Sequence, residues 1–156
     1  MLPARRLTLP STLIAIAITS GCTHPSVAVR SATVERSTAD AVQVGVELEL
    51  TNPASDPMRL LEWEYTYTTG SASYRGRWSA LATLPPDGLP AVHRIPCVVP
   101  ASAFDANSPW TLSGQLTFRS PSRVAEALYE VGLIQPSASF SGGGASTQGA
   151  NGLTVR

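Results

Sequence analysis

Across residues 40–53 the chain alternates strictly, with Val42, Val44, Val46, Leu48 and Leu50 separated by Gln43, Gly45, Glu47, Glu49 and Thr51. A period of two residues belongs to a pleated strand and not to a helix, and predicts one dry face and one wet face. Burial fixes the register, because a slip of one residue would put glutamates into the core and aliphatics into water. Asn52-Pro53 ends the strand, since proline donates no ladder hydrogen bond and pushes its predecessor out of helical geometry. The same alternation returns twice. Leu61, Trp63, Tyr65 and Tyr67 interleave with Glu62, Glu64, Thr66 and Thr68, and Trp110, Leu112, Gly114, Leu116 and Phe118 interleave with Thr111, Ser113, Gln115, Thr117 and Arg119.

Weaker strand patterns cover residues 26–36, 74–78, 91–99 and 137–141, with turn-forming clusters at 37–40, 52–57, 70–71, 84–90 and 100–109. Pro96 inside the fifth pattern predicts an edge strand or a bulge. One stretch has helical period: Val124, Ala127, Leu128 and Val131 share a face, Ser122 stands as N-cap and Gly132 as stop. So short a helix needs that face docked to be stable. About seven strands and one short helix before the last of them predict an all-β, antiparallel two-sheet sandwich of immunoglobulin or fibronectin-III type over residues 26–141. From Gly142 the composition falls to small and polar residues, and 142–156 reads as a flexible tail.

The third and fourth strands form a hairpin with two open registers. A Gly70-Ser71 loop sets Trp63 opposite Trp78, Tyr65 opposite Gly76 and Glu64 opposite Arg77, whereas a loop centred on Thr69-Gly70 sets Tyr65 opposite Tyr74 and Glu64 opposite Arg75. In both, aromatics share one face and Glu62 and Glu64 meet Arg75 and Arg77 on the other. Those four charges read as a solvated face with ion pairs each contributing well under about 1 kcal/mol, or as an ion or ligand site.

All 11 basic residues are arginine, so there is no lysine for Schiff-base chemistry. Two of them, Arg5 and Arg6, precede a short apolar run at residues 13–18 and the small residues Ser20 and Gly21 before Cys22. This reads as an export signal at 1–21, too short to span a bilayer. The sequence around Cys22 resembles the lipobox of bacterial lipoproteins, which implies cleavage before Cys22, lipidation of its side chain and a tether at 22–25. Without the leader, nine arginines face eleven acidic residues, a formal charge of −2 that speaks against nucleic acid as a partner. A lipidated Cys22 leaves Cys97 unpaired, a free thiol that alternates with Ile95 and Val99 as a small buried hydrophobe. His24 and His93 form no metal spacing and no nucleophile pair, so no catalytic, cofactor or metal residue is expected and the chain does not read as an enzyme.

The strand ending in Leu50-Thr-Asn-Pro53, the hairpin over 65–70 with Gly76 beyond it, the proline-rich turn and strand over 84–99 and the closing stretch 136–142 resemble the type 2 late-embryogenesis-abundant family, also called the water-stress and hypersensitive-response domain. The resemblance implies a sandwich without catalytic residues, a protective role under desiccation and other stress, and, in some members, a bacterial envelope lipoprotein. The expected setting is the outer membrane, facing the periplasm, with a membrane anchor and an envelope protein as a further partner. A membrane-tethered module that binds a protein or a lipid is the alternative.

Overall fold

The structure, a computed structural model, describes residues 24–145 and 147–148. The expected leader at 1–21 and the lipidation site Cys22 lie outside the described residues. Seven strands form two antiparallel sheets: β1 (Ser26–Ser37), β2 (Ala41–Thr51) and β5 (Pro90–Pro100) in one, and β3 (Met58–Thr69), β4 (Ala72–Leu84), β6 (Pro109–Arg119) and β7 (Ser137–Ala145) in the other. A short β8 (Thr147–Gln148) adds a parallel pairing beside β1, giving the orders β5-β2-β1-β8 and β4-β3-β6-β7. This is the expected sandwich of fibronectin-III type, with one α-helix among the described residues, α1 (Arg123–Glu130), before the last long strand.

The alternation in β2 translates directly into packing: Val42, Val44, Val46, Leu48 and Leu50 are all buried, and β2 lies between β1 and β5. The opposing layer supplies Met58, Leu60, Trp63 and Tyr67 from β3 and Trp110, Leu112, Leu116 and Phe118 from β6. Trp63 meets Phe140 edge to face at 5.4 Å. Pro96 sits on β5, an edge strand, where a missing ladder donor costs least.

Several expectations are corrected. Leu61 does not face the core, because an irregularity between Leu60 and Glu62 shifts the phase of β3, so that Leu60 points inward in its place while Trp63 and Tyr67 stay on the inner face as expected. The hairpin takes the Gly70-Ser71 register, with Trp63 opposite Trp78 and Gly70 at φ 55°, as a type II′ turn requires. Trp78 nevertheless remains 48% exposed, since β4 is an edge strand. Gly114 leaves no room for a side chain: a Cβ there would lie 2.2 Å from the Glu64 carbonyl and 2.8 Å from the Phe140 ring.

The tail expected from residue 142 is also corrected, since β7 continues through Gly142, Gly143 and Gly144 to Ala145. Gly142 and Gly143 serve close approach: a Cβ on Gly142 would lie 2.5 Å from Val29 Cβ, so only glycine lets β1 and β7 come together there, and one on Gly143 would lie 2.3 Å from the Trp110 carbonyl.

On the predicted apolar face of α1, Ala127 and Val131 are exposed and Leu128 is half-buried, so this part of the face is not sunk into the core. Ser122 does cap the helix, accepting from the Ala125 N–H at 3.1 Å. What holds the helix to β6 is Arg119, which pairs with Glu126 (3.2 Å) and Glu130 (3.0 Å) and lies over the Tyr129 ring at 5.5 Å.

The chain enters and the β2–β3, β4–β5 and β6–β7 connections close at one end of the sandwich, while the other three connections close the opposite end. At the entry end His24 packs edge to face on Phe118 at 5.8 Å. There too Asn52 is fully buried, donating to the Asp56 carbonyl (2.8 Å) and accepting from the Ala54 N–H (3.0 Å). Its own carbonyl accepts from Gly88 N–H, which ties the β2–β3 and β4–β5 loops together and gives the Asn-Pro pair a structural reason.

Candidate functional site

The outer face of the β4-β3-β6-β7 sheet carries a hollow of about 570 Å³ over the row Gly76, Tyr65 and Gly114, which are cross-strand partners. Its rim is formed by Glu64 and Thr66 from β3, Arg75 and Arg77 from β4, and Ser113 and Gln115 from β6. The strands alternate, so these polar residues face outward while Tyr65 points in. A second hollow continues past Glu62 and Thr117 to Tyr129 of α1 and to Gln135.

All four charged residues singled out in the sequence thus belong to one strand pair. Arg77 bridges two of them, with Nε 3.4 Å from Glu62 Oε1 and Nη2 directly on Glu64 Oε1. Arg77 and Glu64 are more than half exposed, so the pair organises the face and adds little stability. Arg75, opposite Thr66, makes no ion pair among the described residues and offers its guanidinium to the hollow. The site can hold a polar or anionic group by hydrogen bonds; Ser113, Gln115 and Tyr129 are parts that only the non-local β3–β6 pairing and the helix bring in.

The opposite sheet spends its outer charges differently. Arg94 of β5 reaches Glu35 of β1 (3.2 Å) and Glu47 of β2 (3.4 Å), and Gln43 donates to Glu35 at 2.8 Å. The Glu35–Arg94 pair crosses over Gly45, where a Cβ would lie 2.2 Å from Glu35 Oε1. Arg30 pairs with Glu49 at 2.7 Å, and that hydrogen bond raises the Arg30 pKa.

Nucleophile chemistry has no assembled site among the described residues. Cys97 is a free, buried cysteine as expected, and burial pushes its thiol up to about 12, so it stays protonated. Tyr65 is raised to about 12, first by burial and then by the nearby Cys97, and its hydroxyl donates to the Pro96 carbonyl at 2.7 Å. Burial lowers the pKa of His93, which stands four residues before Cys97 on the same strand, roughly 13 Å away at about 3.3 Å per residue. No group of three His, Cys, Asp or Glu among the described residues could hold a metal ion, and no described helix is long and apolar enough to cross a membrane.

No family model matches the chain, and no curated protein matches it. Solved structures do. An Arabidopsis thaliana protein determined in solution is similar over 90% of this chain and 94% of its own, with a TM-score of 0.60 and 20% identity. A candidate late embryogenesis abundant protein, also determined in solution, is similar over 77% of this chain and 70% of its own, with a TM-score of 0.54 and 21% identity. The X-ray structure of a structural-genomics target is similar over 78% of this chain and 86% of its own at 11% identity and a TM-score of 0.54. What these structures share with the chain is the fold.

Proposed function

We propose that the chain is a non-enzymatic envelope lipoprotein, anchored through lipid on Cys22 in the outer membrane facing the periplasm, whose sandwich has a structural or stress-protective role. The observation that carries this reading is how directly the fold follows the proposed anchor: His24, two residues after Cys22, already packs on Phe118, and β1 starts at Ser26. The arginines, the short apolar run and the small residues before Cys22 supply the export signal. The LEA-like fold supports the protective role, and Trp63, Tyr67, Phe118, Leu48 and Leu112 fill the space between the sheets, which argues against an acyl chain carried inside.

A cell lacking this chain should lose viability on drying and regain it when the wild-type gene is restored. Equal survival with and without the chain would contradict the protective role. The hollow beside Arg75 favours one second reading, a tethered module for a protein partner. A partner crosslinked in unstressed envelopes and lost with Arg75→Ala would promote it.

A further inference from the structure

Exposed apolar side chains are distributed unevenly between the two ends of the sandwich. Leu89 (57% exposed) lies in the β4–β5 connection, and Val131 (68%) and Leu133 (71%) lie between α1 and β7, all at the end where the chain enters. Leu81 and Val92 are exposed on the strand segments nearest that end. At the far end the connections at 38–40, 70–71 and 101–108 contain no exposed large apolar residue among those described, and Val98 (59%), near the end of β5, is exposed on the strand segments beside them. Carboxylates stand at both ends, Asp40 and Asp105 at the far one and Asp56 and Asp87 at the entry end, so the difference between the ends is apolar and not one of charge.

Leu133 is exposed against the habit of its own motif. Gly132, at φ 73°, donates to Tyr129 O and Leu133 donates to Leu128 O, the two bonds of a Schellman ending. The residue after the glycine in that motif commonly folds back on the helix, yet here it turns to solvent.

The length of chain before the fold says what covers these residues. Two extended residues span at most ~7 Å, so a lipid on Cys22 enters its bilayer within that reach of His24. We infer that the entry end of the sandwich rests on a phospholipid surface, with Leu89, Val131 and Leu133 dipping into the interfacial zone and the far end facing away. The inference rests on lipidation of Cys22. The entry-end connections hold no lysine and no arginine cluster, so the contact is apolar insertion.

The test uses the full chain purified from membranes, its lipid verified by mass, and reconstituted in vesicles of phosphatidylethanolamine and phosphatidylglycerol. Nitroxide labels are placed singly through Leu89→Cys, Leu133→Cys and, as a far-end reference, Ser71→Cys; buried Cys97 stays unlabelled. Labels at 89 and 133 should collide several-fold less with a water-soluble nickel chelate, and more with dissolved oxygen, than the label at 71. If either stays as open to the chelate as position 71 in a chain whose lipid is confirmed, the orientation is overturned and the tether stands. A chain from membranes that carries no lipid at Cys22 overturns both.

Discussion

The two long sides of the sandwich are closed by different means. On one side β1 and β7 approach over Gly142, where no side chain fits under Val29, and β8 adds a backbone pairing to β1. On the other side β4 and β5 are both edge strands, and Tyr65 lies across Gly76 to give its hydroxyl to the Pro96 carbonyl. Close backbone approach resists opening along its whole length, whereas a latch of one phenol concentrates resistance at one bond. Local opening should therefore favour the β4/β5 side, which also holds Cys97 and His93.

The largest effect is expected on the closed side. Gly142→Ala places a carbon 2.5 Å from Val29 Cβ between two strands, and such overpacking costs about 1–3 kcal/mol in a denaturant melt. An unchanged midpoint would mean that the two strands are not closely packed.

On the latched side Tyr65→Phe keeps the ring and loses the bond to Pro96, a loss of about 1 kcal/mol. In a chain also carrying Cys22→Ala, the buried Cys97 should then react faster with a thiol reagent, since the edge opens more often. An unaltered labelling rate would show that the phenol is not the latch.

The smallest effect is a pH slope. Burial holds His93 below its ordinary 6.5, so the unfolded chain takes up a proton first as pH falls. The stability from keeping His93 neutral is present above about 6.5 and declines as pH falls from there towards the lowered folded value. His93→Gln should flatten melts compared across that window.

Much of this fold was legible in the sequence, and the misses have physical causes. Every inward residue of β2 could be read from alternation because that strand is regular and central. In β3 two phases coexist, Met58 and Leu60 in one and Trp63 and Tyr67 in the other, and the irregularity at Leu61 that joins them leaves no period of its own. Alternation gives the face of Trp78 but not the edge position that leaves it half in water. Gly142 and Gly143 have the composition of a linker and the role of a close contact, and only the partner strand distinguishes the two. Of the candidate hollow, Glu62, Glu64, Arg75 and Arg77 were readable because a hairpin is local. Ser113 and Gln115 were not, because their place beside Glu64 and Thr66 depends on a strand about fifty residues further along the chain.

The most direct test of the tether is the intact mass of the chain extracted from membranes of cells that express it. Membrane anchorage through Cys22 predicts a chain that begins at Cys22, lacks residues 1–21 and carries added acyl mass on its first residue. A chain recovered in the soluble fraction, cut elsewhere and free of lipid, would contradict it.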